Sequence, residues 1–252
     1  MKIMIVRHAE PDYSIDSLTE KGRVEAELLS RRLCREKDVL GYYVSPLGRA
    51  RETARYTMEK LGGQAEVLPW LEEFRGTFFD PDRQRIKHCW DLRPRTLHAH
   101  PELDGADTWL HSPLFEGSNI PRIWQETTDG VDELLGRYGF HRDGRLWLND
   151  NNHTGTLMLF CHFGIAMAVV AYLTHMSPVS LWQNFCMTPS SVTTLVTEER
   201  VKGETVWRCF QLGDITHLLS NDQPWSTAGL FPEVYDGRDT TDPVEWGDRH
   251  HP

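Results

Sequence analysis

The chain has 252 residues, 39% apolar and 25% charged, with a formal net charge of −10. That length suits one α/β domain, residues 1–252, carrying an insertion, and the acidic balance argues against nucleic acid as a partner. No apolar run is long enough to cross a bilayer, and five cysteines without Cys-x-x-Cys spacing point to reduced thiols and a cytoplasmic address.

The chain opens on Ile3-Met4-Ile5-Val6, a continuous apolar run that predicts a strand buried on both faces of a parallel sheet, not a secretory leader. Arg7-His8-Ala9-Glu10 follows directly. Residues just past such a strand lie at the carboxyl edge, where open α/β sheets bind ligands. An arginine and a histidine delivered there form an anion site holding a nucleophile that is neutral near pH 7. A helix is predicted over 19–34, with Val24, Leu28 and Leu29 inward.

Residues 39–44 give a second apolar run, ending in Ser45-Pro46-Leu47-Gly48-Arg49-Ala50. Serine then proline predicts a helix start, with Ser45 as its cap. Ala50, Thr53, Ala54, Thr57, Met58 and Leu61 recur at helical spacing and predict the buried face. Arg49 then sits in the first turn, where its planar fork and the helix N-terminus both favour phosphate oxygens. A short strand near Val67 leads to Leu71-Glu72-Glu73.

Residues 77–118 break the alternation of strands and helices. Arg83, Arg85, Lys87, His88, Arg93 and Arg95 crowd this stretch. A solvated loop is the bland reading; a basic lid favouring substrates with a second anionic group is the sharper one. Ile120, Ile123, Trp124, Thr127, Val131, Leu134, Leu135 and Tyr138 then mark a long amphipathic helix. Residues 156–161 form another apolar run, followed by His162-Phe163-Gly164 and a helix over 165–172. The strand-then-histidine pattern thus occurs twice, at His8 and His162, which favours one shared site. Ser177-Pro178 starts a further helix, and residues 192–197 and 206–212 read as two strands joined through Lys202-Gly203.

These pieces resemble the histidine phosphatase superfamily, the phosphoglycerate mutase-like branch one. The likeness rests on Arg7-His8-Ala9-Glu10, Leu18-Thr19-Glu20-Lys21-Gly22, Ser45 to Ala50, and His162-Phe163-Gly164, and spans residues 2 to about 170. It implies a three-layer α/β/α sandwich with a mostly parallel central sheet, to which 77–118 adds an inserted lid segment and 221–252 a tail. It implies that His8 becomes a phosphohistidine and that Arg7, Arg49 and His162 surround the phosphoryl oxygens. A glutamate in a Leu-x-Glu setting is the family's proton donor; Glu73 is the better match, and Glu72 stays open because Gly76 lies four residues after it.

The chemistry follows without the family. Phosphoryl transfer leaves charge on three equatorial oxygens, which two arginines and a charged His162 can stabilise without a metal or other cofactor. His8 must attack as neutral imidazole, and a leaving alkoxide needs a proton from a carboxylic acid. The family's mutases usually continue after the histidine with a glutamate-serine stretch and a Trp-Asn pair. Here Pro11-Asp12-Tyr13-Ser14 stands instead, which favours water over a second acceptor. A phosphatase acting on a small phosphorylated substrate is therefore the first reading. A phosphoglycerate-type mutase and a silent phospho-ligand-binding protein are the alternatives.

Other residues are read structurally. His98-Ala99-His100 lacks an acidic or cysteine partner at metal-ligand spacing. Cys161 and Cys209 lie in apolar runs and read as small hydrophobes. Asp214 is expected to cap a loop, and His250-His251 to be tail. Trp225, Phe231, Tyr235 and Trp246 give the tail enough aromatic surface to pack on the protein or a partner.

Overall fold

A computed structural model describes residues 1–150 and 153–230. His250, His251 and the tail beyond Leu230 lie outside the described residues. The chain opens with β1 (Lys2–Arg7), a small hairpin of β2 (Pro11–Asp12) and β3 (Ser17–Leu18), and α1 (Glu20–Leu33). Next come β4 (Val39–Val44), α2 (Gly48–Leu61) and β5 (Glu66–Val67). Residues 77–118 hold the hairpin β6 (Thr77–Asp80)–β7 (Arg85–His88) and α3 (Pro94–Ala99). The chain continues through α4 (Ile120–Gly136), β8 (Phe140–Asp143), β9 (Leu146–Asn149), β10 (Thr156–Cys161), α5 (Phe163–Thr174) and α6 (Pro178–Asn184). It ends in β11 (Val192–Val201), β12 (Glu204–Asp214) and α7 (Thr216–Leu219).

Eight strands form one sheet in the order β5-β4-β10-β1-β11-β12-β9-β8. The first four run parallel, and β11 joins β1 antiparallel. Side-chain alternation along β1 and β10 explains why the sheet has two covers. Ile3, Ile5, Leu157 and Leu159 enter the larger core with Ile123, Val131, Ile165 and Val169 of α4 and α5. Met4, Val6, Met158 and Phe160 face the other way, onto Leu29, Leu33, Ala50 and Ala54 of α1 and α2. The result is the expected α/β/α layering. Because the four parallel strands share a direction, Arg7, Ser45 and His162 emerge at one edge.

Several expectations are corrected. Val24 is 47% exposed; the inward stripe of α1 is Gly22, Glu25, Ala26, Leu29 and Leu33, one position out of phase with the predicted one. Leu61, at the last turn of α2, is also exposed. The hairpin β8–β9 was not expected from the apolar pattern, although Asp143-Gly144 was its signal: Gly144 takes φ +57° at the first position of a two-residue loop. Cys209 is exposed, whereas Cys161 is buried as expected. Asp214 does act as a cap, its Oδ1 accepting from the Thr216 amide at 2.8 Å.

The segment 77–118 packs into the main core through Phe78, Cys89, Leu92, Leu103, Trp109 and Phe115. Its charges turn inward too. Arg83, with 7% of its side chain exposed, pairs with Asp80 at 3.2 Å and Asp91 at 3.1 Å, and Lys87 pairs with Asp91 at 2.9 Å. Asp80, absent from the charge reading, is what drew Arg83 inside. Buried in these pairs, Arg83 is neither solvated, as the loop reading has it, nor turned to a substrate, as the basic-lid reading has it. Among the described residues no helix is long and apolar enough to cross a membrane.

Candidate active site

Backbone hydrogen bonds lock the strand tips together. His8 N–H donates to the Cys161 carbonyl, Ser45 N–H to the Phe160 carbonyl, and Ser190 N–H to the His8 carbonyl, each at 2.9 Å. His8 and His162 are consequently buried side by side, ring centroids 5.1 Å apart and planes tilted by 56°. His8 Nδ1 lies 2.8 Å from the Ala9 carbonyl oxygen. A carbonyl can only accept, so Nδ1 carries the hydrogen and Nε2 keeps its lone pair. Burial, then the charges of Arg7 and Arg49, hold the His8 pKa well below its ordinary value. The imidazole is neutral at pH 7.

Ser45 does not cap α2 as expected: the helix begins two residues beyond Pro46, at Gly48 after Leu47. The Ser45 hydroxyl instead accepts from the Leu47 amide at 3.2 Å and stands 2.7 Å from His162 Nε2. His162 Nδ1, on the other side of the ring, is buried without a partner. Burial, His8 and both arginines push the His162 pKa well down. That direction runs against the charged imidazole expected from the sequence.

Arg49 lies in the first turn of α2, as predicted. Its Nη1 donates to Asp16 Oδ1 at 2.6 Å, and its guanidinium covers the Tyr13 ring at 5.3 Å. The other Asp16 oxygen accepts from the Gly48 amide at 2.6 Å, so one carboxylate fixes both helix start and arginine. Arg7 donates from Nη1 to the Met187 carbonyl. Arg7 Nε, Arg49 Nε and His162 Nδ1 are all buried without hydrogen-bond partners. Unsatisfied buried donors are costly, and three around one imidazole make a cradle for a tetrahedral oxyanion.

Glu73 reaches the same place; Glu72 does not. Glu73 Oε1 accepts from its neighbour Phe74's amide at 2.8 Å and from the Ile165 amide, in the first turn of α5, at 3.0 Å. Enclosure raises its pKa above the ordinary carboxylate value, against the pull of those amides and of Arg7 and Arg49. Glu72 pairs at 3.2 Å with the exposed Arg75. Gly164 makes the approach possible, since a Cβ there would stand 2.7 Å from Glu73 Oε1 and press on the Trp90 ring. Trp90 comes from the inserted segment, its carbonyl accepting from Gln183 Nε2 at 2.7 Å. Glu10 stays outside the cradle, accepting from Thr19 Oγ1 at 2.8 Å. Sequence reasoning missed Asp16, Trp90 and the second role of Ser45; an Asp within the Ser14 to Ser17 loop was the one available hint.

His100 Nδ1 meets Glu102 at 3.0 Å. Among the described residues no group of three or more His, Cys, Asp and Glu side chains could hold a metal ion.

The fold places the chain among the phosphoglycerate mutase-like α/β/α proteins. Residues 3–109 match the model of the histidine phosphatase superfamily, branch 1. Over 191 residues it is 25% identical to the adenosylcobalamin/alpha-ribazole phosphatase of Salmonella typhi, covering 72% of this chain and 84% of that protein. Phosphoserine phosphatase of Entamoeba histolytica, solved with 3-phosphoglyceric acid, superposes with a TM-score of 0.56 at 15% identity, covering 86% of this chain and 98% of the other. A mycobacterial glucosyl-3-phosphoglycerate phosphatase, solved with VO3, gives 0.53 at 23% identity, covering 84% and 98%. At such identities the two structures speak for the fold alone.

Proposed function

We propose that this protein is a metal-independent phosphatase that hydrolyses a phosphomonoester through a phosphohistidine at His8. The observation that carries the reading is the set of unpartnered nitrogens, Arg7 Nε, Arg49 Nε and His162 Nδ1, around an imidazole whose Nε2 is free to attack. His8 Nε2 takes the phosphoryl group as the bond to the leaving oxygen breaks. The two guanidiniums and His162 Nδ1–H stabilise the charge on the equatorial oxygens. Glu73, whose enclosure favours the protonated form, gives its proton to the departing alkoxide. The resulting carboxylate then takes a proton from water, which attacks phosphorus and frees His8.

The family and the relatives' names support phosphomonoester hydrolysis. A cleft of about 310 Å³ adjoins Glu73, walled by Pro46, Pro69, Trp70, Ile123 and Ile165. That size suits a small-molecule alcohol as leaving group. Hydrolysis of an aryl phosphate in excess chelator, wild type against His8→Ala, tests the reading. Activity that survives chelation and is lost with His8 supports it; a wild type silenced by chelation, or a His8→Ala protein that still turns over, refutes it.

A further inference from the structure

Beyond α7 the chain turns back onto the cradle. Lys21 Nζ, at the start of α1, donates to the Trp225 carbonyl at 3.3 Å and pairs with the Glu10 carboxylate at 3.4 Å. Ser226 is completely buried; its hydroxyl helps hold the pKa of the Glu10 carboxylate below its ordinary value and accepts from the Ala228 amide at 3.2 Å. A bond from the Leu230 amide to the Thr227 carbonyl at 3.0 Å closes a four-residue turn. Its third residue, Gly229, has φ +102°, the region that turns of this shape require and side chains resist. The turn lies against Arg7: Nη2 donates a long bond of 3.5 Å to the Ala228 carbonyl, and a Cβ on Gly229 would stand 2.9 Å from Nη2.

Both terminal nitrogens of Arg7 are therefore held by carbonyls from distant parts of the chain, Met187 and Ala228. Carbonyls orient a guanidinium without cancelling its charge, whereas the carboxylate of Asp16 on Arg49 offsets part of that charge. Clamped in this way, Arg7 keeps Nε as its unpartnered donor and its full charge for an anion.

We propose that the turn over 227–230 is a built part of the phosphate site. It positions Arg7 through Ala228 and Gly229, and Glu10, Lys21 and Ser226 latch it in place. This rests on the cradle binding phosphate, which equilibrium binding tests separately from turnover. Titration calorimetry with inorganic phosphate on the full chain, wild type against Gly229→Ala and Ser226→Ala, decides it. With Arg7 loosened, the phosphate Kd and the KM for an aryl phosphate rise together by about tenfold, equivalent to about 1.4 kcal/mol, in protein that stays folded at the assay temperature. Should Gly229→Ala fail to fold, Ser226→Ala makes the same test by opening the latch alone.

An unchanged Kd in a folded variant overturns the proposal, because the turn then merely packs nearby. A lower Kd also overturns it, because the Ala228 carbonyl would then compete with the anion instead of positioning its partner. A wild type that binds phosphate but hydrolyses nothing refutes the phosphatase reading and leaves the clamp standing. A wild type that does not bind phosphate removes both.

Discussion

The strand tips and the inserted segment hold similar side chains and use them in opposite ways. In the insertion Arg83 and Lys87 are buried against Asp80 and Asp91, so charge is cancelled inside the segment. At the strand tips Arg7 is held by neutral carbonyls and Arg49 by one partly exposed carboxylate, which leaves positive charge and bare donors around His8. Composition does not separate the two. What separates them is whether each cation finds an anion within its own segment.

Glu73→Gln probes the contrast hardest. It keeps the amide bonds from Phe74 and Ile165 but removes the proton, and kcat/KM for an alkyl phosphate falls about 10²–10⁴-fold, far less for an activated aryl phosphate. An equal loss on both substrates would show that Glu73 is not the acid. The pH profile carries the same assignment. Rate falls as pH drops through the depressed His8 pKa, because the nucleophile becomes protonated. It falls as pH rises through the elevated Glu73 pKa, because the acid is lost. The alkaline limb disappears in the glutamine variant.

Next in size is the matched pair Arg49→Met and Arg83→Met. Loss of Arg49 lowers kcat/KM by about 10²–10³ with little change in melting temperature, the scale of removing one donor to a developing oxyanion. Loss of Arg83 strands Asp80 and costs about 3–5 kcal/mol in urea unfolding, with kcat/KM of the folded protein within about twofold. If Arg83→Met raises KM for multiply charged substrates selectively, the insertion does recognise them and the contrast fails.

The smallest effect concerns Glu25, buried in α1 with Oε2 accepting from the Glu10 amide at 2.8 Å. Burial, opposed by the Glu10 amide, reinforced by the Glu10 carboxylate and opposed again by Lys21 and Arg7, raises its pKa from 4.5 to about 8. The folded protein then keeps a proton that the unfolded chain has already released. This contribution is whole below about pH 4.5 and is lost as pH rises towards about 8. Glu25→Gln stays neutral, so it gains up to a few kcal/mol over wild type at pH 9 and almost nothing at pH 5. Urea midpoints at the two pH values measure this; equal differences would place the proton elsewhere.

The parallel half of the sheet was legible because its strands are buried on both faces and write continuous apolar runs, Ile3 to Val6 and Leu157 to Cys161. Arg7, His8, Arg49 and His162 were legible because each follows such a run or opens the helix after one. Glu73 needed the structure: only the Ile165 amide and the space at Gly164 separate it from Glu72. The β8–β9 hairpin was missed because Phe140, Leu146 and Trp147 stand among charged residues, with only Asp143-Gly144 to mark the turn. Asp16, Ser226 and Gly229 act across long sequence separations, and no local pattern in one sequence records such partners.

The central claim is that His8 carries the phosphoryl group between substrate and water. Acid–base-controlled quenching within the first turnover, followed by peptide mapping, tests it most directly. The account predicts a phosphoryl adduct on His8 that is lost in acid, survives base and is absent from His8→Ala. Steady hydrolysis with no adduct on His8, or with the adduct on another residue, would contradict it.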